Sequence, residues 1–255
     1  MARVCLDPGH GGYDPGAVGI SGLKEKDITL AVALEAGSFL TNSGIEVVYT
    51  RNSDQVSWPS EVNQDLAGRC RIANQAKADL FISIHCNSAG NPDARGTETY
   101  SYTLSDRNQR GVEGSRLVQA ELVAALGLQN RGTKTNNFYV LRETVMPAVL
   151  TELAFLSNPE EERLLSQPDF RTRASKAIAR AVLKFIGLPL ADLNQASTGP
   201  RLVINGEPAL NVPYRIIEGK TYVELVSFVS SLGGQALWDE KTKSINIQIK
   251  KSDKA

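Results

Sequence analysis

Val4-Cys5-Leu6-Asp7-Pro8-Gly9-His10-Gly11-Gly12 is a short apolar run that breaks into a glycine-rich turn carrying a histidine, and Leu80-Phe81-Ile82-Ser83-Ile84-His85-Cys86-Asn87 repeats the arrangement. Runs of this length, apolar without alternation, read as buried strands of a parallel sheet. Ligands of open α/β folds gather outside the carboxyl ends of strands. Each run therefore delivers its histidine to the place where chemistry is expected. The chain has only these 2 histidines, and finding both at strand ends weakens the packing role that a single histidine more often has.

Working outward, residues 1 to about 187 alternate strand and helix signals. A helix is expected over Lys26–Thr41, stopped by Gly44, with a strand at Glu46–Thr50. Ser60 is the expected cap of a helix running through Ala76. A strand near Gly96–Tyr102, a helix over Val112–Leu126, and strands at Phe138–Leu141 and Ala148–Leu153 follow. Asn158-Pro159-Glu160-Glu161-Glu162 combines a cap residue, proline at the first helical position and acids in the first turn. The last helix of this region runs from Pro168 to Ile186 and ends at Gly187. The expected fold class is α/β: a mostly parallel central sheet flanked by helices, in a domain of residues 1–188. Residues 189–200 have linker composition. Residues 201–255 change texture to a small, mostly β (α+β) module with a turn at Asn205-Gly206 and a closing hairpin of Trp238-Asp239 with Ser244–Ile249.

Composition excludes several classes. The 28 Lys and Arg balance 28 Asp and Glu, which argues against the basic footprint of a nucleic-acid binder. No apolar run approaches the roughly 18 residues of a membrane span. Three cysteines, Cys5, Cys70 and Cys86, are an odd number without framework spacing, so no disulfide scaffold is expected. The start at Met1-Ala2-Arg3-Val4 has no basic-then-apolar signal, so the expectation is a trimmed form or another export route.

A catalytic zinc takes three nitrogen, oxygen or sulfur ligands and keeps a fourth position open. His10 and His85 supply two, and the third must be a carboxylate or a cysteine. Glu25, in Gly22-Leu23-Lys24-Glu25-Lys26-Asp27, follows the loop of His10 and opens the first helix, so it can turn back over the same sheet edge. An acid there also suits a helix N-terminal dipole. Cys86 is next to His85 in the strand and so faces the opposite side, as a small buried hydrophobe. Cys5 reads the same way, and Cys70 reads as helix packing.

Leu6-Asp7-Pro8-Gly9-His10-Gly11-Gly12-Tyr13-Asp14-Pro15-Gly16-Ala17 resembles the opening motif of the zinc-dependent N-acetylmuramoyl-L-alanine amidases of the amidase-3 type. Gly22–Lys26, Ser83–Asn87 and the stretch from Phe138 through Pro147–Asn158 resemble that family's later motifs, in order. The resemblance implies one zinc ion on His10, Glu25 and His85, with Glu152 as the catalytic carboxylate. It implies hydrolysis of the amide between N-acetylmuramic acid and L-alanine, peptidoglycan as partner, and action at the cell wall or outside the cell. Read alone, Glu152 is equally a strand-end acid paired with Arg142 or Lys24.

Arg142 is a candidate clamp for a stem-peptide carboxylate or carbonyl, and Asn87 a candidate to orient a ligand or touch substrate. Arg51 and Asp54 follow another strand end and suit either support of the ligands or a solvated turn, with the turn favoured. The C-terminal module resembles the copper-amine-oxidase N-terminal-like module in Val203–Gly206, Tyr222–Leu225 and Leu232–Asp239, without His or Cys for copper. Wall binding, spacing and dimerisation all suit it. Tyr222 and Trp238 are expected to fill its core rather than stack on sugars. Two other functions compete. A zinc carboxypeptidase-like peptidase commonly uses a His-x-x-Glu pair, whereas Gly11-Gly12-Tyr13 follow His10 and Glu25 is distant. An inactive wall-binding adaptor predicts a missing ligand or base, and all four positions are filled.

Overall fold

The computed structural model describes residues 2–102 and 109–190. In the C-terminal region it describes residues 203–204, 207–208, 214–217, 220–223, 225–231, 234–239 and 244–249. The chain divides into two compact units, Met1–Leu193 and Asn194–Ala255.

The first unit is built from β1 (Arg3–Pro8), α1 (Glu25–Asn42), β2 (Glu46–Tyr49), α2 (Val62–Ala76), β3 (Leu80–Asn87) and β4 (Thr97–Ser101), then α3 (Gln109–Leu126), β5 (Asn130–Thr135), α4 (Tyr139–Arg142), β6 (Ala148–Phe155), α5 (Pro159–Ser166) and α6 (Pro168–Ile186). Six strands form one sheet in the order β2-β1-β3-β6-β4-β5. Every neighbouring pair is parallel except β4 with β6.

Side chains alternate across this sheet with period two. Val4 and Leu6 of β1, Leu80, Ile82, Ile84 and Cys86 of β3, and Val149 and Leu153 of β6 join one core with α1, α3 and α6. Cys5, Phe81, Ala148 and Leu150 join a second core with Cys70 and Ala73 of α2 and Val140 and Leu141 of α4. All three thiols are buried and free, as packing residues. On the second face α4 is only 4 residues long. The carboxyl ends of β3 and β6 therefore stay open there, and the polar residues that continue the rows of Phe81 and Leu150 are His85 and Glu152.

Several expectations need correction. Phe138–Leu141 is not a strand. Phe138 caps α4, and its carbonyl accepts from the Leu141 and Arg142 amides. A short apolar run does not distinguish a strand from a buried helical turn. The strand in this part of the chain is β5, Asn130-Arg131-Gly132-Thr133-Lys134-Thr135, a polar edge strand that an apolar pattern cannot reveal. The cap of α2 is Glu61, whose carboxylate accepts from the amides of Asn63 and Gln64, rather than Ser60.

A buried ion pair fastens β1 to α2. Asp7 is 1% exposed and accepts from Arg69 Nη1 at 2.8 Å, Ser83 Oγ at 2.6 Å and Thr50 Oγ1 at 2.5 Å. Burial opposes its charge, yet Arg69 and the two hydroxyls hold its carboxyl below the usual carboxylate range. A depressed folded pKa contributes stability that is complete above the unfolded value near 3.9 and is lost as pH falls through the folded value. Asp7→Asn should cost about 3 kcal/mol near neutral pH, because it leaves a buried cation short of its partner. The deficit should shrink below pH 4. Urea melts of both proteins across pH 2–7 check this, and parallel pH profiles contradict it.

The C-terminal unit pairs β7 (Val203–Ile204) with β8 (Glu207–Pro208), β9 (Tyr214–Ile217) with β10 (Lys220–Val223) and β11 (Gly234–Asp239) with β12 (Ser244–Ile249), all antiparallel. A short helix, α7 (Leu225–Ser231), precedes β11. Residues 191–200, the turn at Asn205-Gly206 and the side chains of Tyr222 and Trp238 lie outside the described residues.

Candidate metal centre

Three side chains from distant parts of the chain meet above the ends of β1 and β3. His10 Nε2 lies 3.1 Å from Glu25 Oε1, His85 Nδ1 lies 3.0 Å from the same oxygen, and the two ring nitrogens are 3.1 Å apart. Ligands 2.0–2.1 Å from a tetrahedral ion stand about 3.3 Å from one another. The triangle therefore has the edge length such an ion requires.

Each donor is fixed by local structure. Glu25 is the first residue of α1, and its carboxylate is turned away from its own helix. Oε2 accepts from the Ala17 amide at 2.8 Å and Oε1 from the Cys86 amide at 2.9 Å. Burial opposes its charge, but the two imidazoles hold its carboxyl far below the usual range. His10 Nδ1 faces Asp14 Oδ2 at 2.7 Å. A carboxylate there fixes the proton on Nδ1 and leaves the Nε2 lone pair aimed into the triangle. Asp14 is itself braced by the Gly16 amide at 2.9 Å. Against its burial, Glu25 and Asp14 raise the His10 pKa. The cluster thus favours a positive charge, which a divalent cation supplies.

Glycines make room for these rings. A Cβ on Gly9 would stand 2.6 Å from His85 Nδ1, and one on Gly16 2.7 Å from both Glu25 Oε2 and His10 Cδ2. Neither position admits a larger side chain without moving a donor.

Two buried arginines hold the loop that carries His10. His10 has φ of 61°, a left-handed conformation that costs a non-glycine residue on the order of 1 kcal/mol. Arg69 donates to the carbonyls of Pro8 at 2.8 Å and His10 at 2.7 Å, while Arg51 donates to those of Pro8 at 3.1 Å and Gly9 at 2.9 Å. Burial, with Arg69 nearby, lowers the Arg51 pKa to about 10. Arg51 is thus an interior clamp, not the solvated turn residue expected. Asp54 is more exposed and binds the Gly12 amide at 3.0 Å and Lys26 Nζ at 2.8 Å.

Glu152 pairs in register with His85 across β3 and β6, so the two side chains share a face. Its Oε2 is buried and has no hydrogen-bond partner. Burial, then the nearby Glu25 and Glu98 carboxylates, push its pKa well above the ordinary value. Neither Arg142 nor Lys24 pairs with it. Arg142 ends α4 and binds Glu143 at 2.7 Å and Asn137 at 2.8 Å. Asn87 donates to Glu98 Oε1 at 2.7 Å. His10, His85 and Glu152 line one cleft together with Tyr13, Val62, Leu66, Phe138, Tyr139 and Val140. Arg142 and Asn87 are not in its lining.

The sequence reading missed Asp14 and Arg69, and favoured a turn over a supporting role for Arg51. Asp14 had a signal, a carboxylate four residues after a candidate ligand in a glycine-rich turn. Arg69 falls on the buried stripe of α2 with Leu66, Cys70 and Ala73, which marks it as an interior cation. Asp14→Asn should weaken metal binding about 10- to 100-fold with unchanged secondary structure. Competition against a chromogenic chelator measures this, and wild-type affinity would remove Asp14 from the account.

Residues 4–184 match the family model described as N-acetylmuramoyl-L-alanine amidase. The sporulation-specific N-acetylmuramoyl-L-alanine amidase of Bacillus subtilis is 39% identical over 172 residues, covering 67% of this chain and 62% of the relative. An endolysin of Bacillus phage SPP1 is 36% identical over 189 residues, 72% of this chain and 66% of its own length. The chain thus spans a little under two thirds of these two relatives. The catalytic domain of CwlV, an N-acetylmuramoyl-L-alanine amidase from Bacillus (Paenibacillus) polymyxa var. colistinus, superposes with a TM-score of 0.67 at 39% identity, covering 74% of this chain and 100% of that one.

Proposed function

The chain belongs to the N-acetylmuramoyl-L-alanine amidase family, and on that premise we propose that it hydrolyses the amide between N-acetylmuramic acid and L-alanine in peptidoglycan. His10, Glu25 and His85 hold one zinc ion in this reading, and Glu152 handles the proton. The observation that carries it is the convergence of three metal donors beside a buried carboxyl with an unpartnered oxygen.

An amide resists water because water is a weak nucleophile and an amine a poor leaving group. A bound zinc ion supplies Lewis acidity, polarising a carbonyl and lowering the pKa of water from 15.7 toward about 7. The remaining work falls to protein groups. Asp14 holds the His10 ring in one tautomer. Arg51 and Arg69 hold the loop backbone against strain. Glu152 Oε2, with no competing partner, accepts the proton of the attacking water and delivers it to the departing L-alanine nitrogen. Its raised pKa makes it a stronger base toward that water than an exposed glutamate would be.

The two competing readings lose ground. An inactive adaptor would lack a donor or the base, and the reading that all four act here is supported by the closeness of His10, Glu25 and His85 and by Glu152 lining the same cleft. The peptidase reading relied on a His-x-x-Glu pair that this site does not use. The C-terminal unit, beyond the matched residues, serves in this proposal as a wall-binding or dimerising module, on its resemblance alone. The place of action is the cell wall. Among the described residues no helix is long and apolar enough to cross a membrane. The test is the identity of the chain terminus exposed when purified peptidoglycan is digested.

A further inference from the structure

The row of polar residues on the cleft face does not stop at Glu152. Glu98 of β4 pairs in register with Glu152, and partners in an antiparallel pair project to the same face. Glu98 is 2% exposed. Its Oε1 accepts from Asn87 Nδ2 and from the Tyr100 hydroxyl, both at 2.7 Å. Its Oε2 accepts from Arg131 Nε at 2.7 Å and from Lys134 Nζ. Burial opposes its charge, but these donors hold the carboxyl down to about 2. Tyr100 packs edge-on against Phe138 of the cleft wall, with ring centroids 5.2 Å apart. The cluster thus lies behind Phe138, next to the cleft lining rather than in it.

The backbone is bent to bring both cations here. In a regular strand Arg131 and Lys134, three residues apart, face opposite sides of the sheet. The register of β5 shifts between Thr97↔Asn130 and Thr99↔Thr133, so one extra residue is accommodated opposite Glu98. Gly132, with φ of 81°, sits in that bulge, and Asn130 Oδ1 braces it by accepting the Gly132 amide at 2.9 Å. A bulge re-aims side chains, and here it turns the two cations onto one carboxylate. One anion facing two cations leaves a net positive charge. The Arg131 and Lys134 side chains remain 30% and 39% exposed. Asp93, Arg95, Glu160 and Glu161 lie in the flanking segments. Among them Glu161 is committed to the Gly96 and Phe155 amides and Arg95 faces Glu160 at 3.9 Å.

We propose that Arg131 and Lys134 form an anion subsite for a free carboxylate of the peptide on the amine side of the scissile amide. This rests on the amidase reading. On the side of Glu152 where Glu98 lies, a peptide leaving the nitrogen that Glu152 protonates runs toward β4 and β5. Adjacent strands are about 4.8 Å apart, so the cations lie roughly 5–10 Å beyond Glu152. An extended chain covers about 3.5 Å per residue, which brings the second peptide residue into reach. In a peptidoglycan stem that residue is D-glutamate linked through its γ-carboxyl. It carries a free α-carboxylate, or a carboxamide where the stem is amidated.

The test is calorimetric binding of two tripeptides to the metal-loaded full chain. They are L-Ala-γ-D-Glu-L-Lys and its α-carboxamide counterpart, which differ only in that group. Wild type should bind the carboxylate peptide roughly tenfold more tightly, the scale of a charge-assisted hydrogen bond. Lys134→Ala, at a partly exposed position, should reduce the ratio to near one, and Lys134→Arg should restore it. Equal affinities in wild type, or a preference that survives Lys134→Ala, overturn the subsite. Failure of the amidase reading shows separately, as a protein that keeps the peptide preference but leaves muramoyl amides intact.

Discussion

Glu152→Gln is expected to keep its full complement of metal and to lose about three orders of magnitude in kcat. The carboxamide fills the same volume in the same buried place, so the fold and the three donors are undisturbed. It cannot accept a proton from water, and it has none of suitable acidity to give to an amine. Positioned acid–base groups contribute about 10²–10⁴-fold, and here one group serves both transfers. The wild-type side chain has no structural partner to lose at Oε2, so a stability change should be small. Single-turnover kinetics with metal analysis of the same sample separate the outcomes. A variant with wild-type turnover would assign the proton transfers elsewhere. One that has lost its metal would make Glu152 a ligand.

His85→Ala should do the reverse, losing metal first and activity as a consequence. Two of three donors remain, and the pair His10–Glu25 alone cannot close the triangle. Apparent zinc affinity depends steeply on ligand count, so the purified variant should carry well under one equivalent and show only background activity. Chelator treatment of wild type should reproduce that loss, with recovery on adding one equivalent of zinc. Elemental analysis decides the question. A stoichiometric ion in His85→Ala would remove this residue from the ligand set.

Much of this site was legible in the sequence, for a physical reason. Ligands of a parallel sheet collect where strands end, so an apolar run followed by a polar residue marks both the strand and its chemistry. That logic singled out His10 and His85 as candidates, whereas Glu152 was proposed only through the family resemblance. Glu25 needed the further step of a helix turning back over the sheet edge, which the Ala17 and Cys86 amides fix in the structure. What stayed hidden was held by contacts remote in sequence. Arg51 looked like a turn residue because its guanidinium is held by the carbonyls of Pro8, Gly9, Lys26 and Ser53 and the Thr29 hydroxyl rather than by a charged partner. Phe138–Leu141 looked like a strand because four apolar residues carry no period. β5 was invisible because an edge strand with Asn, Arg, Gly, Thr and Lys presents polar side chains to solvent and to Glu98. Its functional consequence, two cations turned to one face, depends on a bulge that only the strand register reveals.

The central claim is that this chain breaks one kind of bond, the amide that joins muramic acid to its peptide. Purified peptidoglycan digested by the zinc-loaded protein, with the products resolved by mass spectrometry, tests it most directly. The account predicts free peptides beginning with an unblocked L-alanine amino group, together with glycan strands whose muramic acid is intact. New reducing sugar ends, or peptides cut internally while L-alanine stays attached to the lactyl group, would contradict it.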